Sequence, residues 1–285
     1  MAKTAIKISP SNNRFLKSSR LGALCVFCAL IFSACTFSSE KLEMERAASA
    51  ETAGKHAEAF KHYHKVVDHF VRTPAAMKAA SEAARIAHYE LKKFPEALRL
   101  YKHIILYSTD EKQRVDAQRK IADLYFNQTL EYGEAITAYN RLLELPHDRE
   151  QGNRDRLSIA RSYFYLNNFF QAQVEIDKIV GGKASKDLTF EALLLKANIF
   201  LTTKKHEEAI AVLKTLIEQY PERSKNETIG LILAICYEEQ ENYAKAIETL
   251  QSIKDSYPRK EFIENKIKVL KERESQRPGA RGLKK

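Results

Sequence analysis

Residues 231–258 read LILAICYEEQENYAKAIETLQSIKDSYP. Within this stretch Tyr243, Ala246, Leu250 and Ile253 stand at offsets −3, 0, +4 and +7 from the alanine, which is one face of an α-helix. Upstream, Leu233, Ala234 and Tyr237 mark a second apolar helix, and Pro258 ends the pair. The stretch therefore predicts two antiparallel helices that approach closely at a small residue.

The same spacing runs back along the chain. The alanine recurs as Ala59, Ala97, Ala135, Ala172, Ala209 and Ala246, at separations of 38, 38, 37, 37 and 37. Three residues before each stands a ring: His56, Phe94, Tyr132, Phe169, His206 and Tyr243. Four residues after come Tyr63, Tyr101, Tyr139, Ile176, Leu213 and Leu250, and seven after come Val66, Ile104, Leu142, Ile179, Leu216 and Ile253. Pro74, Pro146 and Pro221 punctuate the repeat ends, and the third repeat carries one extra residue between Tyr125 and Tyr132. A single hairpin cannot bury its own apolar face, so repetition at this period predicts a stack with a continuous core.

The pattern in Leu233-Ala234, Tyr237, Tyr243, Ala246 and Pro258 resembles the tetratricopeptide repeat (TPR) over roughly residues 40–258. The period exceeds the common repeat of about 34 residues, which implies longer helices or turns. The resemblance implies an all-α fold, a right-handed α-solenoid of about six helix hairpins spanning 35–258 after a short tether. The segment from Tyr220-Pro221 to Tyr257-Pro258 is similar to bacterial periplasm-facing TPR lipoproteins of the BamD-like and pilotin-like type. Beyond Pro258, Phe262, Ile263, Ile267 and Leu270 recur at helical spacing against Lys266, Lys268, Lys271 and Arg273, so residues 259–285 are expected to form a basic capping helix and a flexible tail.

Composition agrees. With 44% hydrophobic residues the chain is not disordered, and 9 Gly with 7 Pro are too few for the turns of a β-sandwich or barrel. The net charge of +10 invites a nucleic-acid reading, but residues 1–34 hold +5 and residues 259–285 hold +6, leaving the body at −1. Phosphate contacts dominate nucleic-acid affinity, so a neutral body excludes that class.

Residues 1–34 read as an export signal: basic residues up to Arg20, an apolar run from Leu21 to Phe32, then Ser33 and Ala34 before Cys35. Phe32-Ser33-Ala34-Cys35 resembles a lipoprotein lipobox with Phe in place of the usual Leu, which implies acylation (palmitate included) of Cys35 and membrane attachment through it. Counted as far as Phe37 the apolar stretch is 17 residues, at the lower edge of spanning length, which keeps an uncleaved anchor as the alternative. The expected location is the bacterial cell envelope, facing the periplasm, with the outer membrane favoured by Thr36. Once Cys25 and Cys28 leave with the signal, Cys236 is the one free thiol, read as inert core.

No catalytic motif is present, so the chain is expected to be a non-enzymatic scaffold without a cofactor, binding proteins or peptides of the envelope. Outer-membrane protein assembly, secretin or pilus assembly, and coordination of cell-wall enzymes all suit that class. The TPR resemblance implies a groove lined by the first helices, and the alanine register assigns to it Glu82, Tyr89, Arg119, Asp123, Phe126, Arg161, Phe164, Tyr165, Leu194, Asn198, Leu231 and Glu238. Aromatics supply contact area there, and arginines are expected to fix carboxylates. The alternative is a metal or small-ligand protein using the His-rich first repeat, in which Glu58, His62 and His69 share a helical face.

Overall fold

A computed structural model of the chain describes residues 39–276. The signal segment with Cys35, and the tail beyond 276, lie outside the described residues. The described residues are all-α, with no strand among them, and every hairpin has the predicted design. Their contacts group them into two units, 39–117 and 118–276, with the division inside α5.

The first unit contains α1 (residues 39–52), α2 (His56–His69), α3 (Pro74–Arg85, continuing as a π-turn Ile86–Glu90), α4 (Phe94–Tyr107) and the start of α5 (Glu111–Leu124). Pro74 occupies the first position of α3, and the Thr73 hydroxyl accepts from Ala76 N at 3.0 Å, so the chain enters the helix with its free amides partly satisfied. α3 buries Ala76, Ala79, Ala80, Ala83 and Ala84, and side chains this small let α2 and α4 come close on either side of it.

The second unit begins in α5, which continues as a π-turn Tyr125–Thr129, and proceeds through α6 (Tyr132–Glu144), α7 (Arg149–Tyr165), α8 (Phe169–Val180), α9 (Lys186–Thr202) and α10 (His206–Gln219). The sixth hairpin has a first helix in two pieces, α11 (Pro221–Asn226) and α12 (Ile229–Glu239), followed by α13 (Tyr243–Ile253). Last comes α14 (Lys260–Ser275), which packs on α13 and buries Ile263, Ile267 and Leu270, covering the apolar side that the sixth hairpin would otherwise present to water. Cys236 is fully buried in that core, and burial pushes its thiol up to about 11, far from reactive thiolate.

Each ring residue is the first residue of its second helix and is half-buried, while the alanine one turn later has no solvent exposure in any of the six hairpins. Two residues before each ring, the backbone turns left-handed: Gly54, Lys92, Leu130, Asn167, Lys204 and Glu241, with φ between 54° and 70°. In four hairpins the next amide closes a Schellman turn on the carbonyl six residues before the ring: Lys55 to Ala50, Asn168 to Tyr163, Lys205 to Phe200 and Asn242 to Tyr237, at 2.8–2.9 Å. In the other two the equivalent bonds, Lys93 to Ala87 at 2.7 Å and Glu131 to Tyr125 at 3.0 Å, reach one residue further back. These are the two hairpins with π-turns, and they account for the two 38-residue separations among the 37s.

Only the first of the six left-handed residues is glycine. Leu130, at φ 57° and 57% exposed, bears the conformational cost without burying its side chain in return. Leu130→Gly should stabilise the protein by about 0.5–1 kcal/mol, the left-handed penalty less the added chain entropy. Gly54→Ala, where a Cβ would meet nothing within 4 Å and the cost is purely conformational, should lose about 1 kcal/mol or more. Urea unfolding of both variants checks the pair, and a destabilised Leu130→Gly variant would contradict it.

Candidate functional site

The predicted groove residues divide between the two units. In the first, Glu82 accepts from Arg85 Nε at 2.9 Å, and Arg85 also pairs with Glu51. Tyr89 is exposed, its ring stacked on His88 at 4.1 Å. The rest belong to the second unit.

There the arginines are already engaged. Arg119 forks onto Asp155, Nη1 to Oδ1 at 2.5 Å and Nη2 to Oδ2 at 3.1 Å, and Asp155 is 1% exposed, with a further bond from Gln151 Nε2 at 3.1 Å. Arg161 donates to Glu191 at 2.8 Å, and Glu191 also meets Arg223 at 3.4 Å. Arg223 in turn reaches Asp187 at 3.1 Å and lies 4.2 Å over the Phe190 ring. Successive first helices are thus cross-linked by bidentate and shared ion pairs, and a guanidinium held this way has its fork spent within the protein. A cleft of 580 Å³ between α7 and α9 is lined by Arg161, Asp187 and Glu191 of this network, with Arg154, Ser158 and Leu157 beside them.

Asp123 accepts from Tyr139 Oη at 2.8 Å, and burial raises its carboxyl above the ordinary range despite that bond and the nearby Arg119. Burial also raises the Tyr139 phenol, so the pair stays protonated at the tyrosine. Glu238 is shared by Lys266 at 2.5 Å and Arg273 at 2.8 Å, which ties α14 to the sixth hairpin. Leu194 and Leu231 are half-buried against the core, and Asn198, also half-buried, accepts at its carbonyl from Thr202 Oγ1 at 2.8 Å.

What the structure brings together is the aromatic set. Phe126 lies 6.1 Å from Tyr165, and Phe164 lies 5.8 Å from it. Tyr132, read from sequence only as a ring of the repeat, stacks on Tyr165 at 4.7 Å and 19°. Tyr165 is nonetheless 53% exposed, and Leu130 and Leu166 in the turns of the third and fourth hairpins, with Phe170 in the first turn of α8, are exposed as well. The acidic partners Asp155, Glu191 and Asp187 escaped sequence reading. A signal for them exists: Arg119 and Asp155, like Arg223 and Asp187, are 36 residues apart, about one repeat.

The metal reading of the first repeat finds no support among the described residues. Among the described residues no group of three His, Cys, Asp or Glu side chains converges. His62 Nδ1 meets Glu43 of α1 at 2.6 Å, His69 meets its own helix at the Lys65 carbonyl at 2.8 Å, and Glu58 faces Lys55 at 3.6 Å. A shared helical face does not converge once each side chain has found a nearer partner.

Two models of the tetratricopeptide repeat match the sequence, over residues 157–224 and 200–262. Among solved structures, the C-terminal part of a TPR repeat-containing protein from Cytophaga hutchinsonii is 16% identical, covers 88% of this chain and 96% of its own, and superposes with a TM-score of 0.60. The structure of Naa15/Naa10 bound to HypK-THB gives a TM-score of 0.61 at 18% identity, covering 86% of this chain but 35% of that one. A tetratricopeptide repeat protein from Parabacteroides merdae is 16% identical over 82% of this chain and 99% of its own, at 0.48. At these identities the likeness is one of fold. No curated protein matches the sequence.

The Asp123 shift has a sign that can be checked. A carboxyl whose folded value is raised holds its proton more tightly in the folded state, so stability falls as pH rises from the unfolded value of 3.8 through the folded one. Asp123→Asn keeps an acceptor for Tyr139 and removes the charge. Its melting temperature relative to the parent should therefore rise between pH 3.5 and pH 7, whereas a difference that shrinks over that range would refute the burial account.

Proposed function

The chain is a tetratricopeptide-repeat protein, and from that premise we propose that it is a lipid-anchored scaffold of the bacterial cell envelope, binding protein partners on the first-helix side of its third and fourth hairpins. TPR folds serve as protein-interaction scaffolds and are generally non-catalytic. The observation that carries the site is the aromatic cluster of Phe126, Tyr132, Phe164 and Tyr165, stacked yet with Tyr165 half open to water. Rigid aromatic rings offer large contact area at small entropic cost, which is the usual character of an interface hot spot.

With Arg119 and Arg161 held by Asp155 and Glu191, the cluster recognises apolar and aromatic side chains of a partner rather than its carboxylates. The sequence supports the address: the apolar run before Ser33-Ala34-Cys35 has the order of a lipoprotein signal, and Cys35 would carry the acyl chains. The body is neutral, so attachment rests on lipid and partner choice rests on the cluster. Assembly of outer-membrane proteins, secretins or pili, and coordination of cell-wall enzymes, are the envelope processes in which such a scaffold would act.

Two experiments test this. Cells fed an alkynyl palmitate analogue should label the protein, and Cys35→Ser should abolish both label and membrane retention; an intact Met1 terminus on the membrane-bound protein would overturn the lipoprotein reading. A photo-crosslinking residue placed at 165 should trap a discrete partner in cells, and Phe126→Ala, which removes a ring 6.1 Å from that position, should reduce the product several-fold, while a crosslinker at exposed position 134 gives none. Equal products from 165 and 134 would remove the site.

A further inference from the structure

The first helix of the sixth hairpin is broken where neither glycine nor proline demands it. α11 ends at Asn226, α12 starts at Ile229, and Thr228 between them adopts φ 55°. A β-branched residue in the left-handed region costs on the order of 1–3 kcal/mol, and strain of this kind persists where the surroundings require it. Here the break sits on a cleft of 610 Å³, walled by α10 and α13 and reached from Lys225 and Thr228 at the break itself. That size falls within the range of small-molecule sites, roughly 300–1,000 Å³.

The cleft has an apolar floor and a charged rim. Ile217, Leu233, Tyr237, Ile253 and Tyr257 make the floor. Gly230 is needed there, because a Cβ on it would meet Ile253 Cγ2 at 2.6 Å and push α12 off α13. Lys214, Lys225 and Lys245 stand on the rim, exposed and outside every ion pair among the described residues, and the Lys245 ammonium lies 5.7 Å over the Tyr237 ring. The hydroxyls on the wall have spent their protons on the backbone: Thr249 on Lys245 O at 2.7 Å, Ser252 on Thr249 O at 2.7 Å, Ser256 on Ile253 O at 3.0 Å. The charged donors for a ligand come from the lysines, with the hydroxyls of Thr228, Tyr237 and Tyr257 also on the lining. Glu218 and Glu248 also line the cleft, so its three lysines leave an excess of one positive charge.

We propose that this cleft binds a small amphiphilic organic acid, an aromatic or aliphatic body bearing one carboxylate. The body lies on the Tyr237 and Leu233 floor, and the carboxylate bridges Lys225 and Lys245. One net positive charge suits a monoanion and disfavours polyphosphates. The site is formed by α10 to α13 and is separate from the aromatic cluster of the third and fourth hairpins, so it stands or falls independently of the scaffold reading.

The test is a ligand-observed NMR titration of the full chain with 4-phenylbutanoate, and with 4-phenylbutylammonium as the cation of matched body. Saturable binding of the acid, and none of the cation, is expected. The charge reversals Lys225→Glu and Lys245→Glu together, and separately Ser252→Trp to fill the cleft, should each weaken the acid about tenfold or more while circular dichroism stays unchanged. Equal affinity for acid and cation, no saturable binding by the parent, or full binding by both variants would each overturn the proposal.

Discussion

Everything in this molecule depends on six alanines that have no room to be larger. At Ala59, Ala97, Ala135, Ala172, Ala209 and Ala246 the second helix of each hairpin has lost all contact with solvent. A close crossing at that point sets the distance at which the half-buried ring one turn earlier and the apolar residue one turn later meet the facing helix. The rings open their helices, the left-handed residue two positions earlier closes the turn, and the chain reverses in the same way each time. Local geometry, repeated, builds the core; no contact across the whole chain is required for any one hairpin to close.

That locality explains how much could be read in advance. Ring, alanine and apolar residues at −3, 0, +4 and +7 are spaced by the helix itself, so they survive in the sequence as a pattern, and the ends of α13 and α14 follow from the same periodicity. Both inserted residues showed as 38-residue separations, but only the one between Tyr125 and Tyr132 could be placed, because Ala87 is too common a residue to mark its column ahead of Phe94. The break at Thr228 left no mark either. It contains none of the residues that ordinarily announce a left-handed turn.

Which residues fall on the first helices was legible, and what they pair with there was not. The alanine register places Arg119 and Arg161 on the first helices, yet a register says nothing about which charges meet across helices. Asp155 is buried and holds Arg119 with both oxygens, which turns a residue expected to seize a ligand into a brace between repeats. Tyr132 moved the other way. Its place in the ring column made it structural, but its stack on Tyr165 makes it part of the exposed aromatic surface as well. Side chains on a repeat protein serve neighbour and partner from the same position, and only the geometry of the neighbour reveals which.

The two π-turns bear on how such a chain can change over time. An extra residue ahead of Phe94 or Tyr132 is wound into the end of the preceding helix, and the next ring, alanine and turn resume their places undisturbed. A length mutation is therefore settled within a few residues of where it falls, and the downstream hairpins never register it. In a globular core the same insertion would rotate every later side chain on its helix by about 100°. Here the helix end works as a buffer for indels, so repeats of unequal length can coexist in one lineage without a compensating deletion elsewhere.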